Sequence, residues 1–128
     1  MGKFEESNVM ADDLLLQKWQ REFKKGYSKP LILFALAEVE KSYPFPLTKK
    51  LRELTNGQIS IVGSNIYPLL SKLEEEELIV FQKDDSDRKV YQLSEKGRDF
   101  LRNLGLTIQE FNKNLLEIIE KALKQGEL

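Results

Sequence analysis

The chain has 128 residues, neither cysteine nor histidine, and a formal net charge of −1. That is room for one domain with a real core, and it removes disulfides, histidine triads and finger-type zinc sites together. Near-neutrality counts against a globally basic nucleic-acid binder but leaves room for a local basic face. Carboxylates are plentiful, yet Glu74 to Glu77 and the run Asp84-Asp85-Ser86-Asp87 lack a recognisable ligand spacing. Neither catalysis, a metal nor a cofactor is therefore expected. No apolar run approaches the roughly 18 residues that span a bilayer, and the start shows no signal-peptide pattern. The expectation is a cytoplasmic protein without a membrane partner.

Residues 1–8 read as frayed. From Val9 to about Lys25 a helix is predicted, because Ala11, Leu15, Trp19 and Phe23 recur one turn apart. Lys18, Arg21, Lys24 and Lys25 make its far end basic, which complements the dipole of a helix C-terminus, and Gly26 stops it. Trp19 reads as a packing residue at a helix or dimer contact rather than as a ligand-stacking one. Ser28 is placed as N-cap and Pro30 in the first turn of a second helix, Leu31 to about Lys41. Its apolar run puts that helix in the core. Tyr43-Pro44-Phe45-Pro46 should break it before a short helix, Leu47 to Leu54. There Leu47, Leu51 and Leu54 point inward while Lys49, Lys50 and Arg52 point outward. Asn56-Gly57 signals a turn, and Gln58-Ile59-Ser60-Ile61 reads as a brief extended pairing segment.

The stretch from Ser64 to Ile79 carries the most information. Ile66, Leu69, Leu70 and Leu73 make one apolar helical stripe. Ser64, Asn65, Tyr67, Ser71 and Lys72 fall on the remaining surface, a polar front that suits a DNA groove. Leu78 to Lys83 and Lys89 to Leu93 read as two strands of a hairpin across a polar link. Ser94 then caps a long helix, about Glu95 to Lys124. Leu101, Leu104, Ile108, Phe111, Leu115, Ile118 and Ala122 alternate at spacings of three and four, a heptad seam. Gly105 marks a candidate kink or break. The fold class expected is mainly α (α+β): a winged helix-turn-helix over residues 29–94. An N-terminal helical extension covers 1–28, and a C-terminal dimerisation helix covers 95–128.

With those elements in place, residues 29–102 resemble the PadR-type transcriptional regulators. Ser64, Asn65, Ile66, Tyr67, Pro68, Leu69 and Leu70, followed by Lys72, Leu73 and Glu74, are similar to the family's serine/threonine pair, L-Y-P-L-L, basic residue and L-E. The run from Arg88 to Arg98 is similar to its wing motif R-K-Y-Y-x-L-T-x-x-G-R. Glu77 departs from the family's turn glycine, Tyr43-Pro44-Phe45 from its H-G-Y, and Val62 from its common capping serine. The effector of such a divergent member cannot be inherited.

The resemblance implies sequence-specific binding of double-stranded DNA by a homodimeric regulator, expected to be a repressor on a (pseudo)palindromic operator. Candidate DNA contacts are Lys49 and Lys50 on the helix crossing the backbone, Ser64, Asn65, Tyr67 and Lys72 on the reading helix, and Arg88 and Lys89 on the wing. Asp84, Asp85 and Asp87 weaken the wing by repelling phosphate, and Arg88 is preferred over Lys83 for its planar fork. Leu104, Ile108, Phe111, Leu115, Ile118 and Trp19 are the dimerisation candidates. The alternative for that seam is packing on the N-terminal helix of the same chain. A small apolar or aromatic effector would lie between those two helices, lined by Trp19 and Phe111. The competing reading of the whole chain is a winged-helix protein-protein scaffold that offers Glu74 to Glu77 to a basic partner.

Overall fold

The computed structural model describes residues 3–126. Five α-helices and one hairpin follow in order: α1 Lys3–Lys25, α2 Ser28–Val39, α3 Pro44–Leu54, α4 Ile66–Glu75, β1 Ile79–Lys83, β2 Lys89–Leu93 and α5 Glu95–Lys124. A 3-10 turn, Gly63–Asn65, leads into α4. Three helices and a two-stranded wing are thus arranged as the sequence reading expects.

Several boundaries move, most for a local reason. Helix α1 starts well upstream of Val9 and takes in most of the stretch read as frayed. Met1 and Gly2 lie outside the described residues. Ser28 is the first residue of α2 and not its cap; Tyr27 holds the cap position, and its carbonyl accepts the Leu31 N–H at 3.0 Å. Helix α2 stops at Val39, ahead of the prolines, where Glu40 turns to φ 70 and the Lys41 N–H closes a γ-turn on the Val39 carbonyl at 2.8 Å. Pro44 and Pro46 then begin α3 instead of breaking the chain, because first-turn N–H groups have no helical partner to lose.

Pro68 follows the same rule: it sits in the first turn of α4, which starts at Ile66 and not at Ser64. Gln58 to Ile61 does not pair with a strand. The wing's third strand is instead a single residue, Ser42, whose N–H and carbonyl bond Tyr91 at 2.9 and 2.8 Å.

The core gathers the predicted stripes. Ile32, Leu33 and Leu36 of α2, Leu47 and Leu51 of α3, and Ile66, Leu70 and Leu73 of α4 are buried with Leu78, Ile79, Tyr91, Leu93 and Leu101. Each buried Leu or Ile contributes roughly 1.5–3 kcal/mol against exposure. The ion pairs sit at least partly in solvent, where such pairs are worth about 0–1 kcal/mol. The apolar stripes therefore hold the domain together. Leu54, expected inward, is 46% exposed because it is the last residue of α3 and lies past the helices that cover Leu47 and Leu51.

The exit from α4 is unusual. Glu77 adopts φ 64, the Leu78 N–H bonds the Leu73 carbonyl at 3.0 Å, and the Glu77 N–H bonds that of Glu74 at 2.9 Å. This is a Schellman stop with glutamate where glycine is usual. A side chain in left-handed backbone costs roughly 1–2 kcal/mol, and the exposed Glu77–Lys96 pair at 3.5 Å offsets little of it. Glu77→Gly is expected to raise stability by about 0.5–1 kcal/mol in urea unfolding, and a loss would show that Glu77 is unstrained.

Helix α5 opens as expected: the Ser94 hydroxyl accepts the Gly97 N–H at 2.9 Å and donates to the Glu77 carbonyl at 2.7 Å. No break occurs at Gly105. That position meets the Phe34 ring, which a Cβ would approach at 3.4 Å, so its small size serves packing on α2 and not a kink.

Candidate nucleic-acid interface

Helix α4 buries Ile66, Leu70 and Leu73 and exposes Tyr67 and Lys72. Tyr67 and Ser71, one turn apart, look into a groove of about 570 Å³ shared with Arg88, Lys89 and Tyr91 of the wing and the Tyr43–Pro46 start of α3. Phe45 meets Tyr67 edge-on, with ring centroids 6.3 Å apart. Three sequence candidates, Tyr67, Arg88 and Lys89, are therefore brought together. Ser71, Tyr43 and Phe45 join them; only Ser71, four residues after Tyr67, carried a sequence signal.

The other candidates are dispersed. Asn65 lies across α4 in a second groove, against the end of α1 and the 58–62 segment. Ser64 is exposed in the 3-10 turn. Lys72 is exposed with Glu75 at 4.0 Å. Lys49 is exposed and Lys50 half-buried on α3.

The wing tip qualifies one expectation. The Asp84 carboxylate faces inward to build the turn. Its Oδ1 accepts the Ser86 and Arg88 N–H groups, each at 2.9 Å, and its Oδ2 accepts the Tyr43 hydroxyl at 2.6 Å and Arg88 Nε at 3.3 Å. Asp87 pairs with Lys83 at 3.3 Å. Two of the three carboxylates are thus partnered and do not stand bare before phosphate. Arg88 is stacked with its guanidinium carbon 4.8 Å from the Tyr43 ring centre, and Lys89 Nζ stands 4.2 Å from that of Phe81. Both cations are held over aromatic faces. The Arg88 contact with Asp84 uses Nε, and its terminal nitrogens carry no hydrogen bond among the described residues.

The Tyr43 hydroxyl is the main reason that Asp84 is held from 3.8 down to about 2, with the Arg88 and Ser86 N–H groups adding to it. A lowered carboxylate stabilises the turn above its ordinary titration, and that support is lost as pH falls from about 4 toward 2. In Tyr43→Phe, Asp84 is expected to titrate higher, back toward 3.8, in a carboxyl-carbon NMR titration. A midpoint still near 2 would mean that the hydroxyl is not the cause.

The acidic run is no free patch either. Glu74 is half-buried, and its charge, second to burial, helps push Tyr91 up to about 12. Glu75, Glu76 and Glu77 pair with Lys72, Lys29 and Lys96.

A tri-helical core, a helix with a polar ridge and a cation-bearing ribbon beside it define a winged-helix DNA-binding protein. Residues 32–103 match the transcriptional regulator PadR-like family, and the chain belongs to that family. By that membership it is a DNA-binding transcriptional regulator. The transcriptional regulator YqjI of Escherichia coli is 30% identical over 105 residues, which is 82% of this chain and 46% of that protein. The chain thus spans less than half the length of this relative. A PadR family regulator from Eggerthella lenta matches with a TM-score of 0.68 and 23% identity, covering 87% of this chain and 97% of that one. A PadR-like transcription factor from Bacteroides fragilis matches at 0.62 and 27%, covering 79% and 98%. Among the described residues no helix is long and apolar enough to cross a membrane.

Proposed function

We propose that this chain is a homodimeric, cytoplasmic repressor that occludes promoters at (pseudo)palindromic operators. The division is as read from sequence: residues 1–28 as extension, 29–94 as DNA-binding domain and 95–128 as dimerisation helix. The groove that joins Tyr67 and Ser71 to Arg88 and Lys89 carries the DNA reading. It aligns the reading helix with wing cations that stand ready for phosphate. Asn65 and Ser64 read base edges or phosphate at the front of α4, and the Tyr67 hydroxyl and Lys72 hold the backbone. Lys49 and Lys50 neutralise phosphates where α3 crosses the duplex.

Assembly is supported by exposure. Leu101 is buried in its own domain, and Leu104 and Ile108 are half-buried, but Phe111 and Ile118 are 61% and 66% exposed. Trp19 on α1 is 61% exposed too, which favours a partner chain over packing of its side chain on α5. Leu116, Ile119 and Leu123 widen the open face beyond a two-helix seam. Helices α1 and α5 of a second copy both have apolar faces to cover it. A small apolar or aromatic effector would fit between Trp19 and Phe111 once two chains enclose that space.

Replacing Lys49 and Lys50 together with glutamine tests the reading. Affinity should fall on every duplex, and the slope of log affinity against log salt should flatten by about 0.9 per lost phosphate contact. An unchanged slope would remove α3 from the interface. The scaffold alternative is less favoured because Glu74 is half-buried and Glu75, Glu76 and Glu77 already stand beside Lys72, Lys29 and Lys96.

A further inference from the structure

The second groove, on the side of α4 away from the wing, has a volume of about 850 Å³. Lys18, Arg21, Lys24 and Lys25 of α1 line it together with Asn65, and Glu22 is its only carboxylate-bearing residue. In a chain of net charge −1, four cations against one acid form a concentrated positive wall. None of the four is ion-paired among the described residues. Lys24 Nζ donates to Gln58 Oε1 at 2.8 Å and so fastens the end of α1 beside the segment that leads into α4.

Lys18, Arg21 and Lys25 are spaced by three and four residues, so they share one face of α1. At roughly 100° per residue, Leu15, Trp19 and Phe23 lie well round the helix from that face. The apolar stripe can be covered by a second chain while the cationic stripe stays open.

A major groove about 12 Å wide is bounded by two phosphodiester strands. Beside α4 the wing cations Arg88 and Lys89 lie on one side and the α1 cations on the other, in addition to Lys49 and Lys50 on α3. We propose that the C-terminal end of α1 is a second phosphate clamp, in which Lys18, Arg21 and Lys25 hold the DNA strand on the side of α4 opposite the wing. Lys24 positions α1 for this by its bond to Gln58. The clamp rests on the DNA-binding reading, and it lies outside residues 32–103, the part of the chain that matches the family.

The test uses the full chain and a duplex of arbitrary sequence, about 40 base pairs long so that both flanks of an entered groove are present. Lys18→Gln/Arg21→Gln/Lys25→Gln is compared with the native protein and with the Lys49/Lys50 variant by log affinity against log salt. The α1 variant is expected to flatten the slope by about 2–3 per bound chain. The charge-keeping swap Lys18→Arg/Arg21→Lys/Lys25→Arg should retain the native slope. Arg21→Gln alone, expected to lower it by about 0.9, serves if the triple variant folds poorly. A native slope in the α1 variants together with a lower one in the Lys49/Lys50 variant overturns the clamp and leaves the DNA reading standing. Absence of duplex binding by the native protein overturns both.

Discussion

Gly97→Ala is expected to destabilise the domain by about 3 kcal/mol or more. An added Cβ would collide with the Leu78 carbonyl oxygen and stand 2.9 Å from its carbon. Both are backbone atoms, so no rotamer change relieves the clash. The same carbonyl accepts the Ser94 N–H at 3.1 Å, and the Gly97 N–H is bound by the Ser94 hydroxyl at 2.9 Å. Moving α5 outward to admit a methyl would therefore break the cap and strain the start of β1 together. Urea unfolding at fixed pH measures the loss, and Gly105→Ala is the control. There the Cβ would meet the Phe34 ring at 3.4 Å, and the gain in helix propensity, up to about 1 kcal/mol, offsets the crowding. Equal effects at the two glycines would show that the approach of Gly97 to Leu78 is not tight.

Phe111→Asp is expected to convert dimers to monomers in sedimentation. In the single chain Phe111 is 61% exposed, so the substitution leaves the domain's own fold almost untouched. In a two-fold assembly it acts twice. Each copy would lose roughly 1.5–3 kcal/mol of apolar burial and bury a carboxylate in an apolar seam, at several kcal/mol more. A combined loss of about 6 kcal/mol raises the dimer Kd more than ten-thousandfold. Circular dichroism should match the native protein, because Leu101 and the rest of the core are unaffected. A variant that stays dimeric would place the interface elsewhere than the second half of α5.

Much of this architecture was legible in the residues. The stripe of Ile66, Leu70 and Leu73, the limits of the second strand, the Ser94 cap and the span of α5 are all set by neighbours within a turn or a strand. Periodicity and capping report such short-range relations directly. The prolines that open α3 misled because proline opposes a helix interior and favours a helix start, and position decides which. Of the candidate contacts, Tyr67, Arg88 and Lys89 converge on one groove while Asn65 faces another. Their spacing in the chain gave no sign of that separation.

By itself, then, the sequence determined the helices and the hairpin, the buried stripe of the core helices, and the family to which their order belongs. Only the tertiary structure decided what the charges are for. Asp84, read as a repulsive tip, is turned inward by Tyr43, a partner 41 positions away. The basic end of α1, read as a dipole complement, stands beside the front of the reading helix. The heptad seam divides at Ile108 into a half that the chain's own core uses and a half that it leaves open. The physical reason is range. Burial and backbone pairing follow local pattern, whereas the role of a charge or an apolar surface depends on which distant groups the fold brings within a few ångströms.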